Sequence, residues 1–195
     1  MSNAARRIAK LSTSKGAIDA TFHPGSSTGG FDGVVTSLVL NSTGSILYVG
    51  GTFTTYRGIT NSARRIAKLS TSNGTIDTTF HPVSGSGGFN SRVGALALNS
   101  TETTLYVGGL FTSYRGVTNS ASSIAKLSTF DGAIDTTFHP VSTTGGLGTS
   151  SDVGTLTLNT AEDILHVGGF FSSYRSSLLF NAADLDVING NLTLP

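Results

Sequence analysis

An all-β fold of repeated β-propeller-type blades is predicted by three observations. The chain repeats itself: copies begin at Asn3, Asn61 and Asn119, 58 residues apart, and a fourth start near Asn181 runs to Pro195. Each copy holds four short apolar runs separated by turn residues, with no helical periodicity. The composition, with 25 Gly and only 4 Pro in 195 residues, suits a turn-rich β protein. A period of this length means one supersecondary unit per copy, stacked so that neighbours bury one another. The expected organisation is a single repeat domain, residues 1–195, with repeats at 3–60, 61–118 and 119–180 and a partial one at 181–195. Closed propellers have about four to eight blades, so three blades and a fragment predict an incomplete ring with exposed edges.

The elements follow in order. Each copy opens on a strand-like run: Arg7 to Thr13, Arg65 to Thr71, Ser123 to Thr129. Lys15-Gly16, Asn73-Gly74, Asp131-Gly132 and Asn189-Gly190 then supply residues that tolerate positive φ, a hairpin signal. Return strands are expected over Ala17 to Phe22, Thr75 to Phe80 and Ala133 to Phe138. They end at His23-Pro24, His81-Pro82 and His139-Pro140, because Pro lacks the N–H a ladder needs. A Gly/Ser/Thr loop follows. The next strand carries Leu38 and Leu40, then Leu96 and Leu98, then Leu156 and Leu158 on one face. Its other face carries Val35 and Val39, Val93 and Ala97, Val153 and Thr157, as expected of a strand between two layers. The last strand runs through Gly50-Gly51, Gly108-Gly109 and Gly168-Gly169, where a bend or close backbone approach is expected.

Bulk composition narrows the function classes. Charge is sparse at 12%, and the surface it predicts is uncharged rather than basic, so nucleic acid is not an expected partner. There is no Cys, hence no disulfide and no thiolate metal site. No apolar run is long enough to span a bilayer, and Met1 is followed directly by repeat sequence rather than by a secretion signal. The expected location is extracellular or cell-surface, as an excerpt of a longer exported chain, with the cytosol as the alternative. Charge is also lopsided: residues 1–98 hold nine Lys/Arg against three Asp/Glu, and residues 99–195 hold three against eight. Such a polarity suits head-to-tail contact, either self-association or contact with further blades of a longer chain.

The run Ile-Asp-Thr-Thr-Phe-His-Pro, a Gly-rich loop, and Leu-Tyr-Val-Gly-Gly-x-Phe-Thr-x-Tyr-Arg-Gly together resemble the delta-60 repeat. The signature positions are Asp19, Phe22, Gly50, Gly51 and Phe53 in the first copy, Asp77, Phe80, Gly108, Gly109 and Phe111 in the second, and Asp135, Phe138, Gly168, Gly169 and Phe171 in the third. The resemblance covers essentially the whole chain. It implies a β-propeller on a large exported or surface-exposed bacterial protein, and it implies no catalytic residues. The double Gly is also similar to kelch blades, but kelch blades pair it with a Trp, and this chain has none. The missing Trp also removes the usual signature of a β-trefoil.

The repeated polar residues have bland readings. His23, His81 and His139 could ring a metal, but strand-end capping beside Pro is favoured, since coordination needs convergent ligands. Asp19, Asp77 and Asp135 are expected to hold nearby backbone N–H groups. Arg57, Arg115 and Arg175 are expected to tie loop carbonyls or an Asp between blades. Asp184-Leu185-Asp186 is only a faint calcium-loop pattern with the wrong spacing. No cofactor or metal is expected.

An enzyme site needs different residues in different roles, and repetition offers identical ones. The expectation is therefore a non-catalytic scaffold that binds a protein or glycan in adhesion. Tyr and Phe near the Gly-rich loops would supply flat contact surfaces. Its rivals are a propeller hydrolase or oxidoreductase with a central-channel site and a structural spacer. A specific site should use what differs between copies. That selects the loop Leu147, Gly148, Thr149, Ser150, Ser151 and Asp152, and His166, which replaces Tyr48 and Tyr106. The Arg6-Arg7 and Arg64-Arg65 pairs, replaced by Ser122-Ser123, are the electrostatic second choice.

Overall fold

The computed structural model describes residues 6–22, 29–81, 87–138, 146–148, 150–175, 177–179 and 181–193. The strands are β1 (Val35–Leu40), β2 (Ile46–Gly51), β3 (Ile66–Ser70), β4 (Val93–Leu98), β5 (Thr104–Gly109), β6 (Ser113–Tyr114), β7 (Val117–Thr118), β8 (Ile124–Ser128), β9 (Asp152–Leu158), β10 (Ile164–Phe170), β11 (Ser173–Tyr174), β12 (Ser177–Leu178) and β13 (Ala182–Asp186). They form three antiparallel blades, ordered β1-β2-β3, β4-β5-β8 and β9-β10-β13, with two-stranded ribbons β6-β7 and β11-β12 beside them. The sheets do not close on one another, and the architecture is an incomplete propeller.

Turn chemistry explains the strand ends. Asn41 Oδ1 accepts the amides of Ser45 and Ile46, both at 2.9 Å, and Gly44 adopts φ 67°, so the chain reverses between β1 and β2. After β3, Gly74 N–H donates to Ser70 O at 2.8 Å and Gly74 takes φ 65°. Only the glycine of the Asn73-Gly74 pair is left-handed, so this is a longer turn rather than a two-residue type I′ hairpin.

The structural blade is out of phase with the sequence repeat. β1 and β2 come from one copy, whereas β3 opens the next, and Tyr48 pairs with Lys68 across the boundary at 60/61. Residues 181–193 therefore complete the third blade: β13 pairs with β10, and Leu185 bridges Leu192. The partial unit lies at the other end. Residues 6–22 form a hairpin joined by the Leu11–Ile18 bridge, and among the described residues no inner strands pair with it. For that reason the run expected over Arg7 to Thr13 pairs on one side only, through a single bridge, and is not a ladder strand; it lacks the neighbour that β2 gives β3.

The expected return strands are likewise short. Each is reduced to one bridge, Leu69–Ile76 or Leu127–Ile134, before the chain turns at Asp77 or Asp135. Asp77 Oδ1 accepts the amides of Thr79 at 2.9 Å and Phe80 at 3.2 Å, which curls the backbone away from the ladder.

Three apolar clusters hold the stack. One joins the N-terminal hairpin to the first blade through Ile8, Phe22, Leu47 and Val49. The second joins the first and second blades, with Tyr48 and Phe80 from one against Leu96 and Leu105 from the other. The third repeats this with Tyr106, Phe138, Leu156 and Leu165. Tyr48 meets Phe80 edge-on at 5.7 Å, and Tyr106 meets Phe138 at the same distance. The double glycines are where blades touch: a Cβ at Gly50 would lie 2.6 Å from Val93 of the next blade. The strand stays straight through them, and the partner strand bulges instead, between Val35 and Ser37.

Candidate binding surface

The repeated polar residues build and join the blades. Lys10, Lys68 and Lys126 pair with Asp19, Asp77 and Asp135 at 2.9–3.0 Å. Each Lys Nζ also donates across a blade junction, to the carbonyls of Thr71, Thr129 and Val187. The Lys10 ammonium and the Phe22 and Thr21 amides hold Asp19 down to about 2. Asp135 is likewise lowered to about 2: burial opposes the shift, but the bonds from Thr137 and Lys126 outweigh it.

Arg57 Nη2 donates to Phe22 O and Asn73 O, both at 2.7 Å, and its guanidinium lies over the Tyr56 ring at 5.4 Å. Arg115 and Arg175 repeat the pattern on Phe80 and Asp131, and on Phe138 and Asn189. Each planar cation thus clips two successive outer hairpins together, as the sequence suggested for loop carbonyls. The neighbouring tyrosines complete the clip: the Tyr56, Tyr114 and Tyr174 hydroxyls donate to Gly74, Gly132 and Gly190 carbonyls. Burial pushes Tyr114 and Tyr174 up to about 12.

These tyrosines, with Phe31, Phe53, Phe89 and Phe111, are buried. They cannot serve as the flat contact surfaces expected near the Gly-rich loops, because they are the core beneath those loops. Among the described residues the exposed rings are Phe130 and Phe170 instead.

His81 is fully buried, and its Nε2 accepts the Arg64 amide at 3.0 Å. Burial, with the Arg115 and Arg64 cations nearby, pushes it down to about 4, so it is neutral. His23 and His139 lie outside the described residues. Among the described residues no three His, Asp or Glu side chains gather in a metal-ligand group. Asp186 caps a turn through the Ile188 and Asn189 amides, and Asp184 stands on β13, so this pair is not a calcium loop.

The residues chosen for their differences fall in separate places. Leu147 is buried, bridges Tyr174 and occupies the core position that Phe31 and Phe89 hold in the other blades. It is therefore not available to a ligand. Ser151 is buried too, its carbonyl accepting the Ser123 hydroxyl at 2.8 Å. Asp152 grips Arg92 of the second blade with both oxygens. Gly148 donates to Ser173 O, Ser150 is exposed, and Thr149 lies outside the described residues.

Arg6 and Arg7 are exposed on the N-terminal hairpin, where Arg6 O accepts the Phe31 amide. Arg64 O accepts the Phe89 amide in the equivalent place one blade on. Arg65 is left-handed at φ 65° and ties Thr52 O and Phe53 O, and burial lowers its pKa. Each Arg pair thus borders a different blade from the loop, and the structure does not bring them into one site.

His166 gives the clearest result. It stands mid-strand on β10, level with Thr157 on β9 and Asp184 on β13. Its Nδ1 lies 2.7 Å from Asp184 Oδ1, and both side chains are nearly half exposed. The equivalent rows are Val39-Tyr48-Lys68 and Ala97-Tyr106-Lys126, which face the following blade. Sequence reading noted His166 but missed that Asp184, Lys126 and Lys68 are equivalent and that Thr157 completes the row. Aligning the hairpin of each copy with the strands of the copy before it would have found this.

Residues 41–80 and 104–138 match a family described as a domain of unknown function (DUF5122), β-propeller. The chain is a β-propeller repeat protein. The first matched segment begins just after β1 and the second at the start of β5, and both run through the following hairpin, so they straddle the sequence-repeat boundaries as the blades do. No curated protein matches the chain. Among the described residues no helix is long and apolar enough to cross a membrane.

Proposed function

We propose that this chain is a non-catalytic scaffold of an exported bacterial protein, binding a protein or glycan through the open face of its third blade. One observation carries the reading. The row that faces a neighbouring blade elsewhere is, in the third blade, the polar set Thr157, His166 and Asp184, open to solvent. A row with hydroxyl, imidazole and carboxylate groups offers donors and acceptors suited to sugar hydroxyls or a polar peptide surface. Exposed Thr155 on β9 extends it. The repeated Asp, Lys and Arg side chains support a scaffold role, because each is engaged with backbone or with another repeated residue. The resemblance to the delta-60 repeat supports an exported bacterial setting.

The test is a glycan array together with capture from a bacterial envelope extract, using wild type and His166→Ala/Asp184→Ala. The reading expects a signal in one of the two that the double variant loses at unchanged melting temperature. A signal that the double variant keeps in full would place recognition elsewhere.

A further inference from the structure

The opposite end of the stack presents a different surface. Leu38 and Leu40 of β1 are 52% and 55% exposed, whereas Leu96 and Leu156, the equivalents of Leu38, are buried and Leu98 and Leu158, the equivalents of Leu40, are half-buried under the preceding blade. Beside them lies the inner edge of the N-terminal hairpin. Ser12 N–H and Lys10 O bond the return segment at Ala17 and Asp19. The alternation of an antiparallel strand therefore turns Ala9 and Leu11 amides toward the open side. Hairpin and blade enclose an apolar groove of about 310 Å³, floored by Leu38, Leu40 and Leu47 and walled by Ile8 and Phe22.

The same groove recurs one blade on, and there it is filled. Between the hairpin of residues 64–80 and the second blade lie β2, paired with β3, and β1 inside it. Tyr48 covers Phe80, and Val39 and Ile46 pack in the cluster that includes Leu96 and Leu98. β5 and β4 fill the next groove in the same register, with Tyr106 on Phe138. The first groove keeps most of the matching receptor residues, Phe22 for Phe80, Lys10 for Lys68, Leu38 and Leu40 for Leu96 and Leu98, and differs at Gly44, where the next groove has Glu102 on the Ser42 amide.

We propose that this groove accepts a β-hairpin whose sequence follows the repeat's own inner pair. Its second strand reads Leu-Tyr-Val-Gly-Gly and adds antiparallel to residues 8–12, with the Tyr beside Lys10 and over Phe22. Its first strand lays alternate small apolar side chains on Leu38 and Leu40. An open strand edge beside an exposed apolar floor is the arrangement that strand addition uses: main-chain bonds give affinity and side-chain pockets give register. This proposal is independent of the reading at the third blade.

A labelled synthetic peptide spanning Arg92 to Leu110 tests it on the whole chain. Saturable binding is expected, weakened at least tenfold by Leu38→Lys/Leu40→Lys, whose positions are exposed enough to leave the fold intact. Amide exchange at Ala9 and Leu11 should slow on adding the peptide, a reading that wild type alone provides if the variant misfolds. Absence of binding, binding that the double variant keeps, or unchanged exchange at Ala9 and Leu11 would overturn the proposal. So would protection of those amides before peptide is added, together with a mass that rises with concentration, which would assign the groove to a second copy.

Discussion

The two open ends of this stack are made from the same repeat yet end it in opposite ways. At the first blade the exposed face keeps Leu38 and Leu40, and the hairpin beside it keeps Phe22, Lys10 and Asp19. At the third blade, Tyr, Lys and a small apolar residue are replaced by His166, Asp184 and Thr157. A polar outer face is what keeps an uncovered repeat of a stacked protein soluble, and the third blade carries such a row. One position at the first blade also departs from the repeat. Glu102 and Glu162 reach back to the amides of Ser42 and Ser100 in the preceding blade, at the cost of left-handed φ values of 59° and 57°. Their equivalent is Gly44, also left-handed, which among the described residues has no preceding turn to hold. Departures from repetition thus track whether a blade has a neighbour among the described residues.

The largest way to break this comparison is to remove a receptor ring. Phe80→Ala should cost about 3–5 kcal/mol in denaturant unfolding, because the ring is fully buried beneath Tyr48. Phe22→Ala should cost less, since among the described residues no Tyr lies over it. Equal losses would mean that the N-terminal groove is already filled in the way the next one is.

A smaller effect sharpens the interior side. His81 sits at the junction of the first two blades, neutral, with its folded value near 4 against an ordinary 6.5. On acidification the unfolded chain takes the proton first, so the stability His81 contributes above pH 6.5 declines as pH falls through that window to about 4. Melting temperature measured across this range should fall in wild type and fall less in His81→Gln. Parallel profiles would remove burial at this junction as the cause.

Much of the fold was legible because local chemistry repeats. The four glycine turns, the alternation at Leu38 and Leu40, and the close approach at Gly50 are each visible in a single copy. The phase of the blade was not, because pairing Tyr48 with Lys68 is a long-range choice that no local signal marks. Aromatic exposure was misjudged for a related reason. Tyr56 and Phe31 lie in loops, and only the tertiary clip from Arg57 and the Gly74 carbonyl shows that these loops fold back over a core. Of the candidate site, His166 was legible as a departure, while Leu147 was misleading: a change from Phe to Leu at a core position alters packing, not recognition.

The central claim, that Thr157, His166 and Asp184 cap the third blade, is tested most directly by restoring the ordinary row. Sedimentation velocity would compare wild type with His166→Tyr/Asp184→Lys over a wide concentration range. The restored face, with its apolar and cationic row uncovered, should associate with another copy, raising the mass with concentration. If wild type and the restored variant show the same mass at every concentration, the polar row is not what stops the stack.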